Sequence, residues 1–249
     1  MVLGGVEIVG RRGEIKIRGM VIGEQGWELW VENGWCEVRA MGVRGKALFL
    51  DRDWVINEEV GYLHAPEQVR WVEGIFELCR VAVRLGYRLV VVTNQSGIAR
   101  GMYTEAQFDA LMEWMREEFV KQGVGLDAVY FCPFHPVHGV GKYKREHEDR
   151  KPGAGMLRRA AKELRVELGA SVMVGDRCSD VAAARAAGLR QMFLMEGTET
   201  ERCKGEYRVV RTLHEVQEWL VVAAAVGADE VASLDADAAV GEDADEGLE

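Results

Sequence analysis

KALFLDRD, residues 46–53, decides the reading of this chain. Four apolar residues, Ala47 to Leu50, run directly into Asp51-Arg52-Asp53. A short, unbroken apolar run suits a strand covered on both faces, as in a parallel sheet. In such sheets ligands bind at the carboxyl ends of the strands, so two acids at a strand tip mark a site as well as a fold. Outward from this stretch, similar runs recur at RLVVVT (88–93), AVYF (128–131), SVMVG (171–175) and QMFLM (191–195). Helical patterns lie between them. Val72, Phe76, Cys79 and Val83 fall on one helix face, and Phe108, Leu111, Met115 and Phe119 on another. Thr104 and Gln107 stand at capping-box spacing before the second helix. Strand–helix alternation from Lys46 to Val222 predicts one α/β domain with a doubly wound parallel sheet.

The residues after each strand share a chemistry. Asp51-Arg52-Asp53 follows the first, Thr93-Asn94-Gln95-Ser96-Gly97 the second, and a long loop ending in Arg150-Lys151-Pro152 the third. Asp176 and Asp180 follow the fourth. A carboxylate can attack phosphorus and form a covalent intermediate, which splits one hard displacement into two easier ones. Attack of an anion on an anion needs charge neutralisation. Mg²⁺ takes oxygen ligands and can bridge carboxylates to a phosphate oxygen, while an ammonium and hydroxyl or amide donors stabilise the equatorial oxygens. A second carboxylate two residues beyond the nucleophile can protonate the leaving oxygen and then activate water.

On these motifs the chain resembles the haloacid-dehalogenase superfamily of phosphatases. The resemblance implies a Rossmann-like fold, here without room for a large cap domain between Asp51 and Thr93 or between Thr93 and Lys151. It implies Asp51 as nucleophile, Asp53 as general acid/base, and Thr93 and Lys151 as phosphoryl stabilisers. Asp176 would ligate Mg²⁺ beside Asp51 and the backbone carbonyl of Asp53, with Arg177 and Asp180 in support. FLDRD, the Gly61-Tyr62 pair, VVVTNQSGIARG (90–101), YFCP and RKPGAGML (150–157) further resemble the D-glycero-D-manno-heptose 1,7-bisphosphate 7-phosphatase family, from about Lys46 to about Phe193. That likeness implies hydrolysis of the 7-phosphate in lipopolysaccharide-core heptose (ADP-heptose) synthesis. It puts Gly61, Tyr62, Asn94, Gln95, Ser96 and Arg150 on substrate-contacting loops. Histidinol-phosphate phosphatase, from a related family with the same motifs, and a weakly active sugar-phosphate-binding relative are the alternatives.

Two stretches depart from the family pattern. Trp54-Val55 stands where the family has a Gly after the second aspartate. Gly serves where φ is positive or backbones approach closely, so a Trp is expected only where neither applies. Relatives also carry a zinc loop, Cys-x-His and then Cys-x-Cys before Arg-Lys-Pro. The matching positions here are Cys132, Phe134, His147 and Asp149, with His135 and His138 nearby. Cys132, His147 and Asp149 remain a degenerate set, and zinc stays open.

Composition bounds the rest. The net charge of −10 is concentrated in residues 229–249, which hold nine carboxylates and no Lys or Arg. The near-neutral remainder offers no broad positive face for nucleic acid or anionic lipid. No secretory h-region or long apolar span is evident, so a cytoplasmic, non-membrane protein is expected, and a monomer. Five scattered cysteines suggest reduced thiols without disulfides, Cys178 among them as a buried thiol. Residues 1–45 alternate apolar and polar positions, with Asn33-Gly34 as a hairpin turn, and read as a small β-rich extension or as translated upstream sequence ahead of Met41. Residues 223–249, rich in Ala, Asp and Glu, read as a disordered tail.

Overall fold

Alternation along Lys46–Leu50 sets the architecture, because side chains of a strand point to opposite faces in turn. Leu48 and Leu50 enter one apolar core, Ala47 and Phe49 another, and all four are inaccessible to solvent. In the computed structural model the described residues are strands 7–10, 13–23, 26–31 and 34–38 and the stretches 45–197, 199 and 202–226. The chain divides into two units, Met1–Arg44 and Gly45–Glu249.

In the first unit β1 (Glu7–Gly10), β2 (Gly13–Gly23), β3 (Gly26–Val31) and β4 (Gly34–Val38) form an antiparallel sheet in sequence order. The expected antiparallel strand pair is present, with Gly34 already inside a strand. Gly34 pairs with Val31 inside the ladder, so Asn33-Gly34 is not the central pair of the turn. Residues 32–33, Met41 and the acidic tail beyond Val226 lie outside the described residues.

The second unit carries β5 (Lys46–Leu50), β6 (Tyr87–Asn94), β7 (Ala128–Cys132), β8 (Val172–Gly175), β9 (Gln191–Met195) and β10 (Arg208–Val210). Their order is β10-β9-β8-β5-β6-β7, and every pair is parallel. The helices are α1 (Ile75–Arg84), α2 (Ser96–Ala99), α3 (Glu105–Lys121), α4 (Gly155–Leu164), α5 (Cys178–Ala187) and α6 (Leu213–Val226). Helices α1, α3 and α6 fill the core that takes Leu48 and Leu50, while α4 and α5 fill the core that takes Ala47 and Phe49. After β5 the chain runs outward through β6 and β7, then returns to the other side of β5 for β8. The direction of winding reverses between β5 and β8, and a crevice at such a switch point is where open α/β sheets bind ligands.

Helix α3 follows its expected stripe, with Phe108, Leu111, Met115 and Phe119 all buried. Thr104 accepts the amide hydrogen of Gln107, and Gln107 accepts that of Thr104, closing the capping box. The α1 face is corrected. Val83 is 45 % exposed, and the buried residues are Ile75, Leu78, Cys79, Val81 and Ala82. Left-handed Gly74 starts the helix at Ile75, so the inward face follows that start and leaves Val72 ahead of the helix. The cysteine reading is corrected as well. Cys178 and Cys203 are joined in a disulfide, and Cys178 is half-buried. The start of α5 and the segment after β9 meet with Cα atoms 5.1 Å apart, inside the range a disulfide spans. A separation of 25 residues carries no spacing cue, since packing of β8, α5 and β9 makes the approach.

Phe119 is buried against Trp71 and Phe76 with ring centroids 5.7 and 5.1 Å away. Phe119→Ala is expected to lower unfolding free energy by about 4 kcal/mol, read as a lower urea midpoint at unchanged slope. An unchanged midpoint would show that this cluster does not support the core.

Candidate active site

The sheet order brings the tips of β5 and β8 side by side, and the Asp51 amide donates to the Val174 carbonyl at 3.0 Å. Asp51 follows β5 directly, as Asp176 follows β8. Behind Asp176, Gly175 allows a close approach that no other residue would. A Cβ at position 175 would lie 2.3 Å from the Asp180 Cβ. Asp180, in the first turn of α5, uses that space to accept the Asp176 and Arg177 amides through Oδ2 at 3.2 and 3.0 Å. Its Oδ1 faces Lys151.

Lys151 arrives from the loop after β7 and is fully enclosed. Its Nζ lies 3.0 Å from Asp51 Oδ2 and 2.5 Å from Asp180 Oδ1, and donates to the Val92 carbonyl at 2.9 Å. Asn94 sets its position. The Asn94 amide donates to the Lys151 carbonyl and accepts the Lys151 amide, both at 3.0 Å. Both groups of that side chain are therefore committed to Lys151, although Asn94 also borders the cavity. Gln95 is a buried connector: its Nε2 donates to Thr93 Oγ1 at 2.8 Å, and its Oε1 accepts the Tyr103 hydroxyl. Thr93 Oγ1 thereby has a fixed acceptor direction beneath the cavity wall.

Asp53 is held differently. Arg52, itself 1 % exposed, grips both Asp53 carboxylate oxygens at 2.8–3.1 Å, and Asn57 Nδ2 donates to Oδ1 at 3.1 Å. Its carboxylate is not part of the Asp51–Asp176–Asp180 group, whose ligand atoms lie within 4.8 Å of one another. A cavity of about 540 Å³ opens over these residues. Gly61, Tyr62, Ser96, Arg150 and Arg177 border it with Asp51, Asp53, Lys151 and Asp176. Arg150 Nη1 donates to Ser96 Oγ at 3.2 Å. Sequence reasoning missed Glu59, Arg100, Tyr103, Ser179 and Glu199 on the same wall. Arg100 was readable from GIARG, but Glu199 is placed by the path of the chain after β9.

Burial drives the electrostatics of the acids. It raises Asp176, helped by Asp51 and Asp180, to about 8. It also raises Asp51 to about 6, against the opposing pull of Lys151. Burial works against the charge on Lys151, yet Asp180 and Asp51 outweigh it and hold the ammonium above its ordinary range. Three buried carboxylates beside one ammonium leave excess negative charge on hard oxygen donors. That set fits a divalent cation of the Mg²⁺ type.

The chain matches the HAD-hydrolase-like family model over residues 149–218. It is 46 % identical to D-glycero-alpha-D-manno-heptose-1,7-bisphosphate 7-phosphatase of Burkholderia mallei over 160 residues, 64 % of this chain and 85 % of that one. Identity to the D-glycero-beta-D-manno-heptose-1,7-bisphosphate 7-phosphatase of Vibrio cholerae is 47 % over 149 residues, 60 % of this chain and 80 % of that one. The chain belongs to the heptose-bisphosphate phosphatase family of haloacid-dehalogenase-like phosphatases. A solved member, D,D-heptose 1,7-bisphosphate phosphatase from B. bronchiseptica complexed with magnesium and phosphate, superposes with a TM-score of 0.62 at 29 % identity, covering 71 % of this chain and 98 % of that one. That relative holds magnesium, a hard divalent cation of the type that suits the carboxylate group here.

Against the family pattern, Trp54 adopts φ +63° and is 42 % exposed. The position does require the left-handed region, and a Trp occupies it nonetheless. Its amide donates to the Asn57 carbonyl at 2.7 Å, closing the turn that carries Asp53. The strain is local, since Asp51 and Asp53 both border the cavity. Cys132, His147 and Asp149 do not gather into a metal-binding group among the described residues.

Trp54→Gly is expected to raise unfolding free energy by about 1 kcal/mol, the left-handed penalty less the extra freedom of Gly in the unfolded chain. A drop in melting temperature would contradict the strain. The raised carboxylates have a pH consequence. Folded Asp176 keeps a proton up to about 8 that the unfolded chain releases near 4, so this contribution to metal-free stability is lost as pH rises through that window. The rise in melting temperature on adding Mg²⁺ should therefore be larger at pH 8 than at pH 5.5, because protons compete for the same oxygens. Equal shifts at both pH values, or unchanged pH dependence in Asp176→Asn, would refute this.

Proposed function

We propose that the chain hydrolyses D-glycero-D-manno-heptose 1,7-bisphosphate at the 7-phosphate through an aspartyl-phosphate on Asp51, for the synthesis of lipopolysaccharide-core heptose. The observation that carries the reading is the Asp51 carboxylate, 3.0 Å from the buried Lys151 ammonium at the head of a cavity that also presents Arg100 and Arg150. A nucleophile with charge neutralisation at its side suits phosphoryl transfer, and two further cations suit a substrate with a second phosphate. Relatives at 46–47 % identity are named for this reaction.

Asp51 attacks phosphorus, the phosphorus–oxygen bond to the sugar breaks, and the sugar oxygen takes a proton from Asp53. Asp53 then removes a proton from water, which attacks phosphorus and frees Asp51 and inorganic phosphate. Arg52 and Asn57 aim Asp53 for both tasks. Lys151 and the Thr93 hydroxyl offset charge on the equatorial oxygens, with Asn94 and Gln95 holding those two groups in place. Asp51, Asp176 and the Asp53 backbone carbonyl would hold Mg²⁺, with Asp180 and Arg177 in support. The bound metal supplies Lewis-acid neutralisation of the phosphate charge. Gly61, Tyr62, Ser96 and Arg150 border the space left for the sugar. The protein acts on a small phosphorylated sugar as a cytoplasmic monomer, without nucleic-acid or membrane partners. No helix among the described residues is long and apolar enough to cross a membrane.

Phosphate release from both anomers of the heptose bisphosphate, from histidinol phosphate and from an aryl phosphate, with ³¹P NMR to identify the position cleaved, tests the reading. The heptose 7-phosphate is expected to be the preferred target, and Asp51→Asn to lose about 10⁴-fold or more in kcat. Preference for histidinol phosphate, or equal release by wild type and Asp51→Asn, would overturn it.

A further inference from the structure

The loop from 132 to 150 stands where relatives carry a zinc loop, and one donor atom of each candidate ligand is engaged within the protein. Cys132 Sγ donates to the Phe134 carbonyl at 3.9 Å. His135 Nδ1 accepts the Val137 and His138 amides at 3.2 and 3.0 Å, and His147 Nδ1 accepts the Asp149 amide at 3.1 Å. Asp149 Oδ2 pairs with Arg159 Nη1 of α4 at 2.9 Å. The position that would complete a tetrahedral set is Phe134, which has no ligand atom. These residues do not fit zinc.

The same residues fit a different fastening. The Phe134 ring carries the Arg145 guanidinium 3.9 Å from its centroid and the His147 ring at 4.6 Å, 26° from parallel. Cation–π and stacked contacts of this kind have defined geometry, so a ring can gather a loop much as a metal does. The gathered Phe134 aims its carbonyl at Arg150, which donates to it through Nη1 at 3.0 Å while the same nitrogen reaches Ser96. Arg150 borders the cavity directly before Lys151. We propose that the Arg145–Phe134–His147 stack and the Asp149–Arg159 ion pair form a metal-free clamp, and that Phe134 is a positioning residue holding Arg150 for an anionic group of the substrate. The positioning half rests on the heptose-bisphosphate reading, whereas the clamp does not.

A double-mutant cycle with a hydrogen-exchange arm tests both halves. Phe134→Ala should raise KM for the heptose bisphosphate about tenfold with kcat nearly unchanged, the loss of one aligned charged contact. Arg150→Ala should do the same, and Phe134→Ala in the Arg150→Ala background should add nothing, because one residue acts through the other. Phe134→Tyr should restore KM, a zinc-selective chelator should not alter it, and the purified protein should hold no zinc. Additive effects would overturn the coupling, and about one zinc per chain whose removal raises KM would overturn the metal-free clamp. In Phe134→Ala, or in exposed Arg145→Ala should the former not fold, amides of 134–150 should exchange faster than in wild type. Unchanged exchange refutes the clamp, while an Arg150→Ala protein with unchanged KM refutes only the substrate contact.

Discussion

Everything at the active edge is arranged around a buried ammonium. Lys151 sits between Asp51 and Asp180 with almost no solvent contact, and a lone charge in that setting would cost more than the fold could sustain. The two carboxylates supply its partners, and the Val92 carbonyl and the Asn94 amide fix its direction. That arrangement neutralises only part of the acidic charge. Asp176 is left with a carboxyl raised to about 8, which is how a protein keeps an affinity in reserve for a cation it does not itself supply.

The topology explains why these groups meet. Lys151 and Asp51 are separated by 100 positions, yet β5 and β8 are neighbours and the loop after β7 returns over the tip of β6. The loops that leave the carboxyl ends of these strands place the chemistry at the switch point, and Gly175 admits Asp180 beside Asp176. The disulfide between Cys178 and Cys203 ties the start of α5 to the segment that carries Glu199, and Glu199 accepts the Cys178 amide at 2.8 Å. One wall of the cavity is therefore pinned to the helix that orients Asp176 and Asp180.

Much of this was legible in the residues. Apolar runs mark five of the six parallel strands, and Asp51, Lys151 and Asp176, which follow three of those runs in the sequence, meet at one cavity in the fold. The sixth strand, Arg208–Val210, has three residues and no periodicity to read. Other misses share a cause, dependence on tertiary approach. The disulfide follows from packing, and the inward face of α1 from a left-handed Gly74 ahead of it. The clamp on Asp53 by Arg52 was hidden because adjacent residues rarely face each other, and only the turn at Trp54 folds that guanidinium back. Trp54 shows the limit of a residue-preference rule: the left-handed conformation is required, and the chain accommodates it with an exposed indole.

On the proposed reading Asp51, 3.0 Å from the Lys151 ammonium, takes the phosphoryl group covalently. Rapid acid quenching of the protein during turnover, followed by peptide mass spectrometry, tests it most directly. One phosphoryl group should be found on the peptide containing Asp51, present only with Mg²⁺ and absent from Asp51→Asn. Phosphate released at full rate with Asp51 never modified, or a phosphoryl group carried on another residue, would contradict it.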